Sequence, residues 1–231
     1  MSHVRIKWMR LKLRTPSEAL FSFIKNTPYN DEAGLGFTDF DWRGGKISAT
    51  FNKKNLQVES YNDPFGDEVE FERISYDEIN FSLFTLSPRL CLIAVYDPPK
   101  SIKSLIDFLT SDSEVNVGYS NISVDISDFI NVMRLEFNYR LVSISKVKVS
   151  NVHVNENSRA NIEITSKVNA LKDLQEYVET NDFKLDKLKG VYLNEDVKAS
   201  FELSSSALCC VQNGEEDVFN EILSRIEIRK E

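Results

Sequence analysis

The chain has 231 residues, 42% of them hydrophobic and 28% charged, the make-up of a folded globular protein with room for one large or two small domains. Its net charge of −8 and sequence pI near 5.0 disfavour general attraction to nucleic acid or anionic membranes, which prefer basic surfaces. The longest apolar runs fall well short of the ~20 residues a membrane span requires, and no Pro/Ser-rich or low-complexity block marks a disordered segment.

The N-terminal stretch MSHVRIKWMRLKLR interleaves charge throughout and lacks the apolar core and small-residue cleavage site of a signal peptide. The three cysteines, Cys91, Cys209 and Cys210, give no disulfide framework, and Cys91 sits in the apolar run LCLIAV. Free thiols in a reducing, cytoplasmic compartment are expected.

Residues 4–13 alternate like a strand, but the phase slips. Val4, Ile6 and Trp8 share one face, then Met9, Leu11 and Leu13 take over. If the slip is a bulge, Arg5, Lys7, Arg10, Lys12 and Arg14 line one solvated basic face. Thr15-Pro16-Ser17-Glu18 predicts a helix start with Thr15 as cap and Glu18 completing a capping box. Leu20, Phe23 and Ile24 are its buried stripe.

Gly44-Gly45 joins 37–43 to 46–53 as a two-residue hairpin. Short strands are expected at 56–61, 68–74, 79–85 and 90–96, separated by turns at Asn62–Gly66, Tyr76-Asp77-Glu78 and Ser87-Pro88. A meander of this kind argues for an antiparallel sheet. Ile102, Leu105, Ile106 and Leu109 predict a helix over 100–111. Ser111-Asp112-Ser113-Glu114 marks the best domain boundary, giving an N-terminal meander domain over 1–112 and a ribbon-and-helix domain over 113–231, or a single domain.

In the second half, 115–124 reads as strand and 127–133 as a short helix. The stretch 135–167 reads as a long ribbon whose apolar phase changes three times, so that it must bend or bulge. Its parts 147–154 and 159–166 form a hairpin around Asn155-Glu156-Asn157-Ser158. A helix over 169–180, strands at 183–193 and 197–203, and a helix starting at the acidic Glu215-Glu216-Asp217 complete the chain. The fold class expected is α+β: a mostly antiparallel, bent or bulged sheet with about four amphipathic helices packed on it.

Catalytic signatures are sparse. His3 and His153 are not spaced as zinc ligands with the cysteines, and no C-x-x-C, H-E-x-x-H, G-x-S-x-G or phosphate-binding glycine loop occurs. No cofactor or metal is implied. Asp39 and Asp41, on one face of a predicted strand, and the triplet Asp182-Phe183-Lys184 supply the residue types of a metal-dependent nuclease, without a motif that singles them out.

Charge patterning stands out more. Besides the basic N-terminal face, Glu68, Glu70 and Glu72 share one strand face opposite Val69 and Phe71. These two strands could pair with each other through cross-strand ion pairs. Otherwise Arg5, Lys7, Arg10, Lys12, Arg14 and Arg43 offer a partner- or nucleic-acid-binding set, and Glu68, Glu70 and Glu72 an acidic patch for a basic protein surface. Tyr29, Phe37, Phe40, Trp42, Tyr61 and Phe65 fall in or near loops, where packing beneath the loop is expected. The first functional reading is therefore a protein-interaction subunit or adaptor of a soluble intracellular assembly, without catalytic chemistry, that binds another protein or itself and no membrane. A nucleic-acid-binding protein using the basic ribbon is the alternative, and a metal-dependent nuclease the second alternative.

Overall fold

The computed structural model describes residues 2–62, 64–111, 115–155, 157–178, 183–194 and 197–230. In chain order the elements are β1 (His3–Leu13), α1 (Ser17–Asn26), β2 (Leu35–Arg43), β3 (Lys46–Asn62), β4 (Glu68–Ser87), β5 (Leu90–Tyr96), α2 (Lys103–Ser111), β6 (Val117–Asn121) and α3 (Ile126–Glu136). β7 (Arg140–Asn155), β8 (Ser158–Thr165), α4 (Ala170–Tyr177), β9 (Lys184–Asn194), β10 (Val197–Ser204), β11 (Leu208–Gln212) and α5 (Glu216–Ile228) follow. The class is α+β, mostly antiparallel, with five helices among the described residues.

The chain forms two compact units, Leu11–Tyr119 and a split unit made of Met1–Arg10 with Ser120–Glu231. In the 11–119 unit the strands run β2-β3-β4-β5-β1. Phe37, Phe51 and Phe81 pack their rings on one another, and Phe108 of α2 closes on Phe37 and Phe51 at 5.4 and 5.3 Å between centroids. In the split unit the order is β1-β11-β10-β9-β7-β8. Trp8, Phe129 of α3, Tyr192, Phe201 and Phe219 of α5 form its aromatic core. Two polar devices are built into that core. Trp8 Nε1 donates to Asn220 Oδ1 at 2.7 Å, and the Arg10 guanidinium donates to the buried Glu227 carboxylate, which also accepts from Lys230 Nζ at 2.8 Å.

Strand β1 changes its buried face after Trp8. Trp8 and Arg10, two residues apart, both reach α5, so the alternation runs unbroken through Met9. What changes is the covering: Arg5 and Lys7 point to the less buried side, whereas Met9, Leu11 and Leu13 on the same parity are buried. The basic residues therefore do not share one face. Helix α1 starts at Ser17 without a side-chain cap, because the Thr15 hydroxyl donates instead to the Val115 carbonyl.

The Gly44-Gly45 hairpin forms, with Arg43 opposite Lys46. The expected strands at 46–53 and 56–61 are one 17-residue strand, β3, and those at 68–74 and 79–85 are one 20-residue strand, β4. Tyr76-Asp77-Glu78 is thus no turn; these residues pair with Lys54, Lys53 and Asn52. Polar residues mimic turn chemistry there, and a partner strand overrides it. Leu135 and Glu136 belong to α3, which Asp125 caps by accepting from Ser127 and Asp128 N–H. From Arg140 onward the ribbon forms and is bulged: β7 shifts register against β9 between Leu141 and Ser143, Ile144 and Lys146, and Lys148 and Val149. The 147–166 hairpin forms as β7–β8. Strand β11, absent from the expected elements, pairs with both β1 and β10. It directs Cys209 into the core and leaves Cys210 half-exposed. None of the three cysteines is in a disulfide, and burial pushes the Cys91 thiol up to about 12. The 112–114 boundary, Glu156 and Asp182 lie outside the described residues. No described helix is long and apolar enough to cross a membrane.

Candidate functional site

The surface with the strongest claim is the outer half of the β3–β4 hairpin. β2 pairs with β3 only as far as Lys53, and β5 pairs with β4 only from Asn80. Lys54 N–H still donates to the Gly34 carbonyl at 2.7 Å; from Asn55–Ser75 to Asn62–Glu68 β3 and β4 pair with each other alone. Among the described residues no third strand joins them, so both backbone edges of this arm are open.

The arm inverts the polarity of the body. In the inner half the odd-numbered face is core (Ile47, Ala49, Phe51, Ile79, Phe81, Leu83), and the even face is polar. There Ser48 bonds Ser82 at 2.8 Å, and Thr50 donates to Asn80 at 2.7 Å. In the outer half the even face carries Tyr76, Leu56, Ile74 and Val58, all exposed, and continues into Glu72, Glu70 and Glu68 toward the tip. On the odd face Tyr61 and Phe71 stack edge to face at 6.2 Å, both exposed, beside Gln57, Glu59 and Arg73. At the turn Phe65 is 90% exposed. Over 54–78 the sequence carries eight acids, Glu59, Asp63, Asp67, Glu68, Glu70, Glu72, Asp77 and Glu78, against Lys54 and Arg73 as cations, so the arm is strongly acidic.

Its base is held by a polar cluster. Lys54 Nζ donates to both Asp31 oxygens at 3.0 Å, Tyr29 OH donates to Asp31 at 3.1 Å, and the Tyr29 and Tyr76 rings meet at 6.4 Å. Hydrogen bonds from Lys54 and Tyr29 hold the Asp31 carboxyl below its ordinary value, and the bond to Asp31 raises Lys54. Desolvation, helped by Asp31, pushes the Tyr29 hydroxyl up to about 12. The loop that delivers Tyr29 and Asp31 depends on Gly36. Its φ is +147°, and an added Cβ would stand 2.5 Å from the Tyr29 Cα.

The sequence-derived set falls into several places. Glu68, Glu70 and Glu72 lie on the even face of the arm, paired with Asn62, Ser60 and Val58 of β3, so they do not meet the basic strand. Arg10 is held by Glu227, and Lys7 donates to the Ser206 carbonyl at 2.5 Å, with burial lowering its pKa. Arg5, Lys12 and Arg14 are exposed. Arg43, at the opposite end of β3–β4, pairs with Asp41 at 3.0 Å. A bulge between Thr38 and Asp41, with Asp39 at φ +54°, breaks the regular strand face expected for Asp39 and Asp41. Lys184 lines an open cleft of about 620 Å³ in the split unit. Among the described residues no cluster of three potential metal ligands occurs.

Of the loop aromatics, Phe37 is core, while Trp42, Tyr61 and Phe65 are exposed. The apolar half of the arm (Leu56, Val58, Ile74, Tyr76) and the Asp31–Lys54 pair at its base were not singled out from sequence, whereas Tyr29 was, as a loop aromatic. The available signal was the parity of Leu56 and Val58, which is opposite to that of Ile47 and Phe51 earlier in the same strand. No protein-family model and no curated protein matches the sequence, so the functional reading rests on these surfaces.

Proposed function

We propose that the protein is an interaction subunit whose docking element is the β3–β4 arm, and that the occupant is a segment of another protein combining apolar side chains with Lys or Arg. One observation carries this reading. A two-stranded ribbon leaves the sheet with both edges unpaired and with Leu56, Val58, Tyr61, Phe71, Ile74 and Tyr76 exposed. An isolated two-stranded ribbon is marginal in water, and open edges beside apolar side chains invite an added strand. The eight acids select a basic partner and keep copies of the arm from pairing with each other. Aromatics of the Tyr61–Phe71 kind are the side chains that anchor protein interfaces.

The test is site-specific photocrosslinking in the native cells, with the photoreactive residue at Tyr61 or Phe71 and at Tyr177 of α4 as an exposed control. The expected result is a discrete adduct from the arm positions only. Its crosslinked peptide should carry Lys or Arg, and it should vanish in E68K/E70K/E72K. Equal crosslinking from Tyr177, or an adduct indifferent to the charge reversal, would overturn the reading. An adduct to a second copy of the chain would reassign the arm to self-association.

A further inference from the structure

A second surface lies in the split unit, on the side of the sheet that faces away from its aromatic core. Strand alternation directs Lys146 and Lys148 of β7, Lys187 and Lys189 of β9, and Arg5 and Lys7 of β1 to this side, while Val147, Leu188 and Ile6 point inward and are buried. The register sets Lys146 directly opposite Lys189 and Lys148 directly opposite Lys187. Like charges directly across an antiparallel pair destabilise a sheet. Two carboxylates answer part of the charge: Glu163 pairs with Lys146 at 2.7 Å and Glu202 with Lys187 at 2.5 Å. Lys148 and Lys189 are exposed, and Lys148, directly opposite Glu163 of β8, shares the field of that one carboxylate with Lys146 and Lys187. With Asp186 counted at the adjoining bulge, six cations stand against three carboxylates.

The cations form two rows across the strands. One runs from Lys146 and Lys189 past Glu202 and Cys210 to Arg5; the other runs from Lys148 and Lys187 past Ser204 and Leu208 to Lys7. At about 4.8 Å between strands, five strands span about 19 Å. That is a track for a linear polyanion, longer than one anion needs. Its composition separates the classes of polyanion. Val191 and Leu193 of β9 and Leu208 of β11 are the large apolar side chains on this side, set along its margin or singly, and among the described strand residues no Phe, Tyr or Trp is directed there. A protein interface needs an apolar anchor at its centre, and base stacking needs aromatics. Contact with backbone phosphates needs neither.

We propose that this face, centred on Lys148 and Lys189, binds the phosphodiester backbone of a nucleic acid strand without reading its bases. It is distinct from the N-terminal ribbon as a unit: Arg5 and Lys7 belong to it, whereas Arg10 is turned to Glu227. It is also independent of the arm.

The test is fluorescence anisotropy of the full chain with a labelled mixed-sequence oligonucleotide of about 20 nucleotides, single-stranded and duplex, titrated over salt. Binding at low salt, steeply weakened by added salt and indifferent to base sequence, is expected. The variant K148E/K189E should weaken binding more than about tenfold, and the neutral K148A/K189A should flatten the salt dependence by about 1.4 log units per log unit of salt for a single strand. Thermal melts of both variants report whether the fold is intact. No binding at low salt, or binding unchanged in folded K148E/K189E, overturns the proposal. So does equally tight binding of polyglutamate or of phosphatidylserine vesicles, which would assign the face to an acidic protein or a lipid surface.

Discussion

The two halves of the β3–β4 hairpin share one pair of strands and one unbroken register, yet they have opposite chemistry. In the inner half Phe51 and Phe81 are buried on the odd face, against Phe37 and Phe108. In the outer half the even face holds Leu56, Val58, Ile74 and Tyr76 and the odd face Tyr61 and Phe71, all exposed. A strand buries whichever face another element covers. When the apolar parity flips while the strand runs straight, the exposed stretch lacks its intramolecular cover, and that is the physical reason for reading it as a docking element.

The largest effect is expected in the inner half. Phe81→Ala should cost about 3–5 kcal/mol of unfolding free energy, because its cavity opens between packed rings; urea unfolding measures it. A value near zero would mean that the two halves do not differ. Next, Gly36→Ala should cost about 1–3 kcal/mol, since no side chain fits against the Tyr29 backbone at that φ. Hydrogen exchange should show the loss at the Tyr29–Asp31 loop first. By contrast, Leu56→Ala and Val58→Ala should change stability by less than about 0.5 kcal/mol while weakening the arm-specific crosslink. A large stability loss would show that these side chains are structural.

The smallest effect is set by pH. Asp31 titrates below its ordinary value when folded, so its contribution to fixing the base of the arm is present above the ordinary carboxylate range and is lost as pH falls through the lowered value. Lys54, raised by the same contact, contributes below the ordinary lysine range and loses that contribution as pH rises past its raised value. Protection factors at Leu56 and Tyr76, corrected for intrinsic exchange, should therefore plateau near neutrality and fall in acid. Asp31→Asn should abolish the acid transition, and an unchanged transition would remove Asp31 from the base of the arm.

Much of this was written locally. The 3.6-residue spacing of Ile102, Leu105, Ile106 and Leu109 gave α2, Gly44-Gly45 gave the first hairpin, and the alternation around Asn155–Ser158 gave β7–β8. The phase changes after Arg140 correctly announced bulges. In β1 the basic residues divide, Arg10 turning to Glu227 and Lys7 to the Ser206 carbonyl, and Tyr76-Asp77-Glu78, expected as a turn, continue a strand. The acids of the arm were legible as a patch, but its apolar companions were not, because exposure is a property of what packs nearby.

The sequence by itself determined the α+β class, the periodicity of most elements and the alternation that assigns each strand residue to a face. Tertiary structure alone decided which of those faces is covered and which strands lie side by side. Alternation is set by the backbone of one strand, whereas a ladder such as β7–β9 or β1–β11 joins residues far apart in the chain. That long-range pairing set Lys148 against Lys187 and carried Arg5 to the same open face. It also left Asn55 to Asn62 of β3 with β4 as their one partner strand among the described residues.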